Sequence, residues 1–292
     1  IIPGVFEMLN QGPELVHHYG SLTHFSEEIQ DYTNRDIFSR ILTNEGILLG
    51  QIVDPYHYLD NPNYDIPKLM IVASGDQFFV SDSAQYYFHD LPGDQNYVRY
   101  IPNTGHPLDV NAIYSTLTFY DAVLNHRELP KFSWTIDYDQ TIRVHTETAP
   151  TQVLLWQATN PDARDFRQYY VPDSVLWTST VLTDQGGGIY LGNTPIPPDG
   201  ATGYFIELTY PSAIPGVPYV FTTEIRINTD MPLVPWPYPG IDEAPPLAPA
   251  VVSEDLNAAA SALTSPAATP SAIVAGAGSS PPEADIDEAE ML

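Results

Sequence analysis

Hydrophobic positions along residues 66–129 follow two periods in turn. Residues 69–73, Leu-Met-Ile-Val-Ala, form an unbroken apolar run of strand length. Continuous rather than alternating hydrophobicity predicts a strand covered on both faces, as in a parallel sheet. Ser74-Gly75-Asp76 ends it. Residues 82–91 read as a helix with Ser81 or Asp82 as N-cap, and Pro92-Gly93-Asp94 as a turn. Residues 97–102 predict a second strand, which stops at Asn103-Thr104-Gly105-His106. A long helix then runs from about Leu108 to Leu124, and Ile113, Leu117, Tyr120 and Leu124 mark its expected apolar face. Strand, helix, strand, helix is a βαβα unit, and its crossover requires a parallel sheet.

The pattern changes near residue 131. Seven short strands are expected near 132–138, 141–147, 152–158, 175–182, 188–192, 203–210 and 219–228, separated by Pro, Gly, Asn and Asp. In the last, Phe221, Thr223, Ile225 and Ile227 alternate with Thr222, Glu224, Arg226 and Asn228, which predicts one buried face. This strand density suggests a small, immunoglobulin-like β-sandwich over 131–236. From 237 to 292 the chain is Ala, Pro, Ser and acids, with no Lys or Arg. Such a tail buries too little apolar surface to offset its ordering entropy, and is expected to be disordered.

Composition narrows the function classes. Ten Lys+Arg stand against 37 Asp+Glu, a net charge of −27, so phosphate backbones and anionic membrane surfaces would repel the chain. Nucleic acid is therefore not an expected partner. No apolar run approaches the roughly 20 residues of a membrane span. With no cysteine, thiolate catalysis, disulfides and Cys-ligated metals are excluded. His17, His18 and His24 lack an accompanying acid pattern and read as surface residues; no metal or other cofactor is expected. Residues 13–50 suggest a helical excursion over a site. Arg164-Asp165-Phe166-Arg167 reads as an ion-paired loop, and Trp134, Trp156 and Trp177 as core.

The candidate chemistry sits where the two strands of residues 66–102 end. In an open α/β sheet, function collects at the carboxyl ends of strands. Here those ends carry Asp76 and His106. A carboxylate there can accept the imidazole Nδ1 proton, fix the tautomer and stabilise the imidazolium while Nε2 takes a proton from a hydroxyl. Acid first and His second is the chain order of α/β-hydrolases after their nucleophile.

Several stretches resemble the PhoPQ-activated pathogenicity-related protein family. They are residues 69–79 and 82–93, which carry Gly75-Asp76-Gln77-Phe78-Phe79, and residues 99–106 with Asn103-Thr104-Gly105-His106. Residues 52–56, 156–160 and 164–167 are also similar. The resemblance covers roughly residues 5–230. It implies an α/β-hydrolase-like domain (residues 1–130, the C-terminal part of it) followed by a β-sandwich, with Asp76 as triad acid and His106 as triad base. A serine nucleophile elbow, G-x-S-x-G, is absent from this chain. In the family it precedes the segment that residues 3–10 resemble, so the chain is expected to be an N-terminally truncated piece whose serine lies upstream of Ile1. The expected reaction is hydrolysis of an ester or amide, on a small-molecule or peptide substrate. The alternative is a non-catalytic secreted signalling or binding protein on a hydrolase scaffold. By class, a secreted or periplasmic location is expected.

Overall fold

The structure, a computed structural model, describes residues 8–21 and 24–238, all within one compact unit. The expected disordered tail lies outside the described residues from 239 onward. Among the described residues, four α-helices precede the first strand: α1 (Met8–Tyr19), α2 (Gln30–Thr33), α3 (Ile37–Arg40) and α4 (Asn44–Val53). Strand β1 (Lys68–Ala73) pairs in parallel with β2 (Asn96–Ile101), in register from Lys68↔Asn96 to Ala73↔Ile101. Helix α5 (Val110–Leu124) follows, its first turn capped by Asp109, whose carboxylate accepts from the Asn111 N–H.

Eight further strands follow: β3 (Phe132–Ile136), β4 (Ile142–Thr146), β5 (Gln152–Asn160), β6 (Thr178–Val181), β7 (Ile189–Gly192), β8 (Ala201–Tyr210), β9 (Tyr219–Thr222) and β10 (Arg226–Thr229). Seven strands form one mixed sheet in the order β1-β2-β9-β8-β5-β6, with β10 also paired to β8. Strands β3, β4 and β7 make a smaller antiparallel sheet. The fold is therefore mixed α/β with two sheets. The change of pattern at residue 131 does not break the hydrogen-bond ladder, because β2 and β9 join through Val98↔Thr222. The large sheet is covered on both faces. One core gathers Phe119, Ile142, Val153, Leu155, Ile206 and Phe221, and the other Phe88, Tyr100, Phe166, Trp177, Phe205 and Ile225. Trp134 and Trp156 pack against these clusters as partly buried side chains.

Three local expectations are corrected. Residues 82–91 form two 3-10 turns, Ser83–Tyr86 and Phe88–Asp90, instead of one helix. The Asp82 carboxylate makes no cap there, being held by His18 and Arg164, and Tyr87 leaves helical φ/ψ while it and Phe88 are buried. The segment 219–228 is two strands. It bends at Thr223–Ile225 so that β9 and β10 follow opposite ends of β8, and the bend is buried throughout, including Glu224. Finally, the expected apolar face of α5 is turned outward: Ile113, Leu117, Tyr120 and Leu124 are exposed by 58, 53, 44 and 71%. The face against the sheet carries Ser115, Thr118, Phe119 and Ala122, mostly small side chains that allow close approach.

Candidate active site

Beyond their last paired residues, β1 and β2 continue as neighbours. The Ser74 N–H donates to Ile101 O (3.0 Å), the Asn103 N–H to Ser74 Oγ (3.0 Å) and the Gly75 N–H to Thr104 O (3.0 Å). Asn103 takes the left-handed conformation (φ 57°), which Asn tolerates better than most residues. Its side chain is bonded to the backbone of Trp177 at both ends, Nδ2 donating to the carbonyl oxygen at 2.9 Å and Oδ1 accepting from the N–H at 2.8 Å. These bonds bring the loop carrying His106 against the turn carrying Asp76.

The two residues named from the sequence meet. His106 Nδ1 lies 3.0 Å from Asp76 Oδ1 and 3.2 Å from Oδ2. Asp76 Oδ1 also accepts from the N–H groups of Phe78 (2.7 Å) and Phe79 (3.1 Å), which fixes the carboxylate plane. The carboxylate side chain is 6% exposed and the imidazole 44%. Phe78 stacks on the imidazole at 5.3 Å between centroids and 24° between planes, and Phe79 flanks it. The hydrogen bond to Asp76 raises the His106 pKa above the ordinary histidine value, against the opposing effect of partial burial. Nε2 has no hydrogen-bond partner among the described residues. Ser74, the serine nearest in sequence to the dyad acid, is fully buried, and its Oγ accepts from Asn103.

Sequence reasoning missed two buried groups, one of them beside this pair. Gln77, buried beside Asp76, reaches His106 by its side chain: Oε1 accepts the His106 N–H at 2.7 Å. A buried amide leaves no periodic or compositional signal. His18, expected at the surface, is buried, its Nε2 2.9 Å from Asp82 Oδ1, with Arg164 Nη2 2.8 Å from Oδ2. Burial opposes ionisation of Asp82, but His18 and Arg164 overcome it and hold the carboxyl well below its usual range. His17 pairs with Glu14, and His24 Nδ1 lies 2.9 Å from Tyr19 O. The ion-paired loop is present, with Arg167 bonded to both Asp165 oxygens. The Arg167 guanidinium sits 3.6 Å from the Tyr19 ring centroid, beside a cavity of about 400 Å³ that Phe25 and Tyr170 also line. Among the described residues no three His, Asp or Glu side chains converge as metal ligands.

The family model for the PhoPQ-activated pathogenicity-related protein matches residues 1–167, a span that includes Asp76, Gln77, His106 and the Arg167 loop. The chain belongs to that family. Autocrine proliferation repressor protein A of Dictyostelium discoideum is 26% identical over 255 residues, covering 80% of this chain and 51% of that protein. This chain thus spans about half the length of the curated relative it matches. No solved structure matches it. No helix among the described residues is long and apolar enough to cross a membrane.

Proposed function

We propose that this chain supplies the acid and base of a serine hydrolase with an α/β-hydrolase-like scaffold, acting on an ester or amide of a small molecule or peptide. The observation that carries the reading is the Asp76–His106 pair, with Nδ1 held by the carboxylate and Nε2 left open toward solvent. His106 Nε2 takes the proton of a serine hydroxyl as that oxygen bonds to the acyl carbon, then returns it to the leaving group. Asp76 holds the imidazole in its working tautomer and stabilises the imidazolium. In this reading the nucleophile is a serine supplied by polypeptide outside this chain. The test is to clone the coding region preceding Ile1, express it joined to this chain, and screen short-chain aryl esters. Hydrolysis should fall by at least about 10³-fold in His106→Ala. Unchanged hydrolysis in that variant removes His106 from the mechanism.

The name of the Dictyostelium relative favours a second reading, in which the scaffold serves a non-catalytic signalling or binding role. An upstream region with no serine on a strand-to-helix turn would favour that reading.

A further inference from the structure

Asp76 and Gln77 are consecutive, and in an extended strand their side chains would point to opposite faces. Here the tight turn after β1 brings both onto one residue. Asp76 holds the His106 ring at Nδ1, and Gln77 holds the His106 main chain through its N–H (2.7 Å). The other end of the Gln77 amide is also committed, with Nε2 donating to Gln168 O at 2.7 Å. The Gln77 carbonyl oxygen accepts from Ser26 Oγ. Only 2% of the residue is exposed, and a Cβ added at Gly105 would come within 2.5 Å of its Nε2, so the His106 loop rests directly on this amide.

We propose that Gln77 is the positioning residue of the dyad: its side chain fixes the backbone of His106 against the 166–168 loop, so that the imidazole stays in register with Asp76. This rests on the reading of Asp76 and His106 as a working pair. A glutamine that merely satisfied buried backbone groups would affect stability alone. One bonded to the N–H of the base itself also controls where the ring sits. Losing this bond leaves the His106 N–H without its amide acceptor and frees the loop to relax away from Asp76.

The test is NMR on the full 292-residue chain, following the His106 ring through a pH titration together with its Nδ1 proton. In the wild type the imidazole titrates above the ordinary value of about 6.5, and the Nδ1 proton is shifted downfield and protected from exchange. Gln77→Met removes both side-chain bonds with little change of shape. Gln77→Asn removes them by shortening the reach, and serves if the Met variant fails to fold. In either, the pKa falls toward the ordinary value and the downfield proton is lost. Retention of the wild-type titration and proton in Gln77→Met or Gln77→Asn overturns the proposal. Asp76→Asn separates the two readings. If it leaves the His106 titration unchanged, the pair itself does not form. If it lowers the pKa while the Gln77 variants do not, only the role of Gln77 falls.

Discussion

Arg99 Nη1 donates to Glu207 Oε2 at 2.5 Å, joining residues 108 positions apart, with side chains 7% and 9% exposed. Arg99 lies on β2 and Glu207 on β8, so the pair spans β9 between them. Removing one partner leaves a buried charge uncompensated. Arg99→Met should therefore cost about 3–5 kcal/mol in urea unfolding, and the double variant Arg99→Met/Glu207→Met considerably less than the sum of the two singles. Simple additivity would show that the two charges do not depend on each other.

His89 Nε2 lies 2.6 Å from Glu224 Oε2, linking the 3-10 turn Phe88–Asp90 to the bend between β9 and β10. The hydrogen bond that His89 donates to the Glu224 carboxylate raises its pKa, with Asp90 adding to the effect and partial burial opposing it. A raised folded-state pKa means that this pair's stabilisation is complete below the unfolded value of about 6.5 and is lost as pH rises through the folded value. The melting-temperature difference between wild type and His89→Gln should be largest near pH 5–6 and shrink above it. Comparing the two proteins at each pH cancels the background from their shared acidity, and a difference independent of pH would contradict the pairing.

Asp82 has the opposite sign. Its folded pKa is depressed, so its contribution is present above the unfolded value of about 3.9 and fades as pH falls below that. Asp82→Asn takes the nearer carboxylate from buried His18 and partly buried Arg164, leaving only Glu14 Oε2 at 3.9 Å from each. The expected cost is about 3–5 kcal/mol at pH 7, shrinking in acid. Denaturant midpoints at pH 7 and pH 3 provide the comparison.

A Cβ at Gly75 would stand 2.8 Å from both Gln168 N and Phe166 O, which are backbone atoms with little freedom to retreat. Gly75→Ala should destabilise by about 1–3 kcal/mol and displace the 166–168 loop from the dyad turn. An unchanged melting temperature would mean that this loop sits elsewhere.

What the sequence discloses here is local. The apolar run of β1, the boundaries of α5 and the positions of the later strands follow from periodicity and turn residues. Asp76 and His106 were legible because each ends one of two consecutive strands. Partnership across long separations was not legible. Nothing near Val98 encodes its pairing with Thr222, nor anything near His17-His18 its burial against Asp82. For α5 the helical period was correct but its orientation was not. An apolar stripe shows that a face differs from its opposite, whereas which face meets a sheet also depends on how closely the backbones must approach. Ser115, Thr118 and Ala122 meet that need.

The β2–β9 junction also sets an order of assembly. Thr222 lies 124 residues beyond Val98. At synthesis rates of about 5–20 residues per second, β2 emerges roughly 6–25 s before the strand that closes its open side. Throughout that interval its unpaired backbone is a template for the wrong strand, from this chain or another. A protein cut after residue 130 would keep both Asp76 and His106, yet it would leave that edge open permanently.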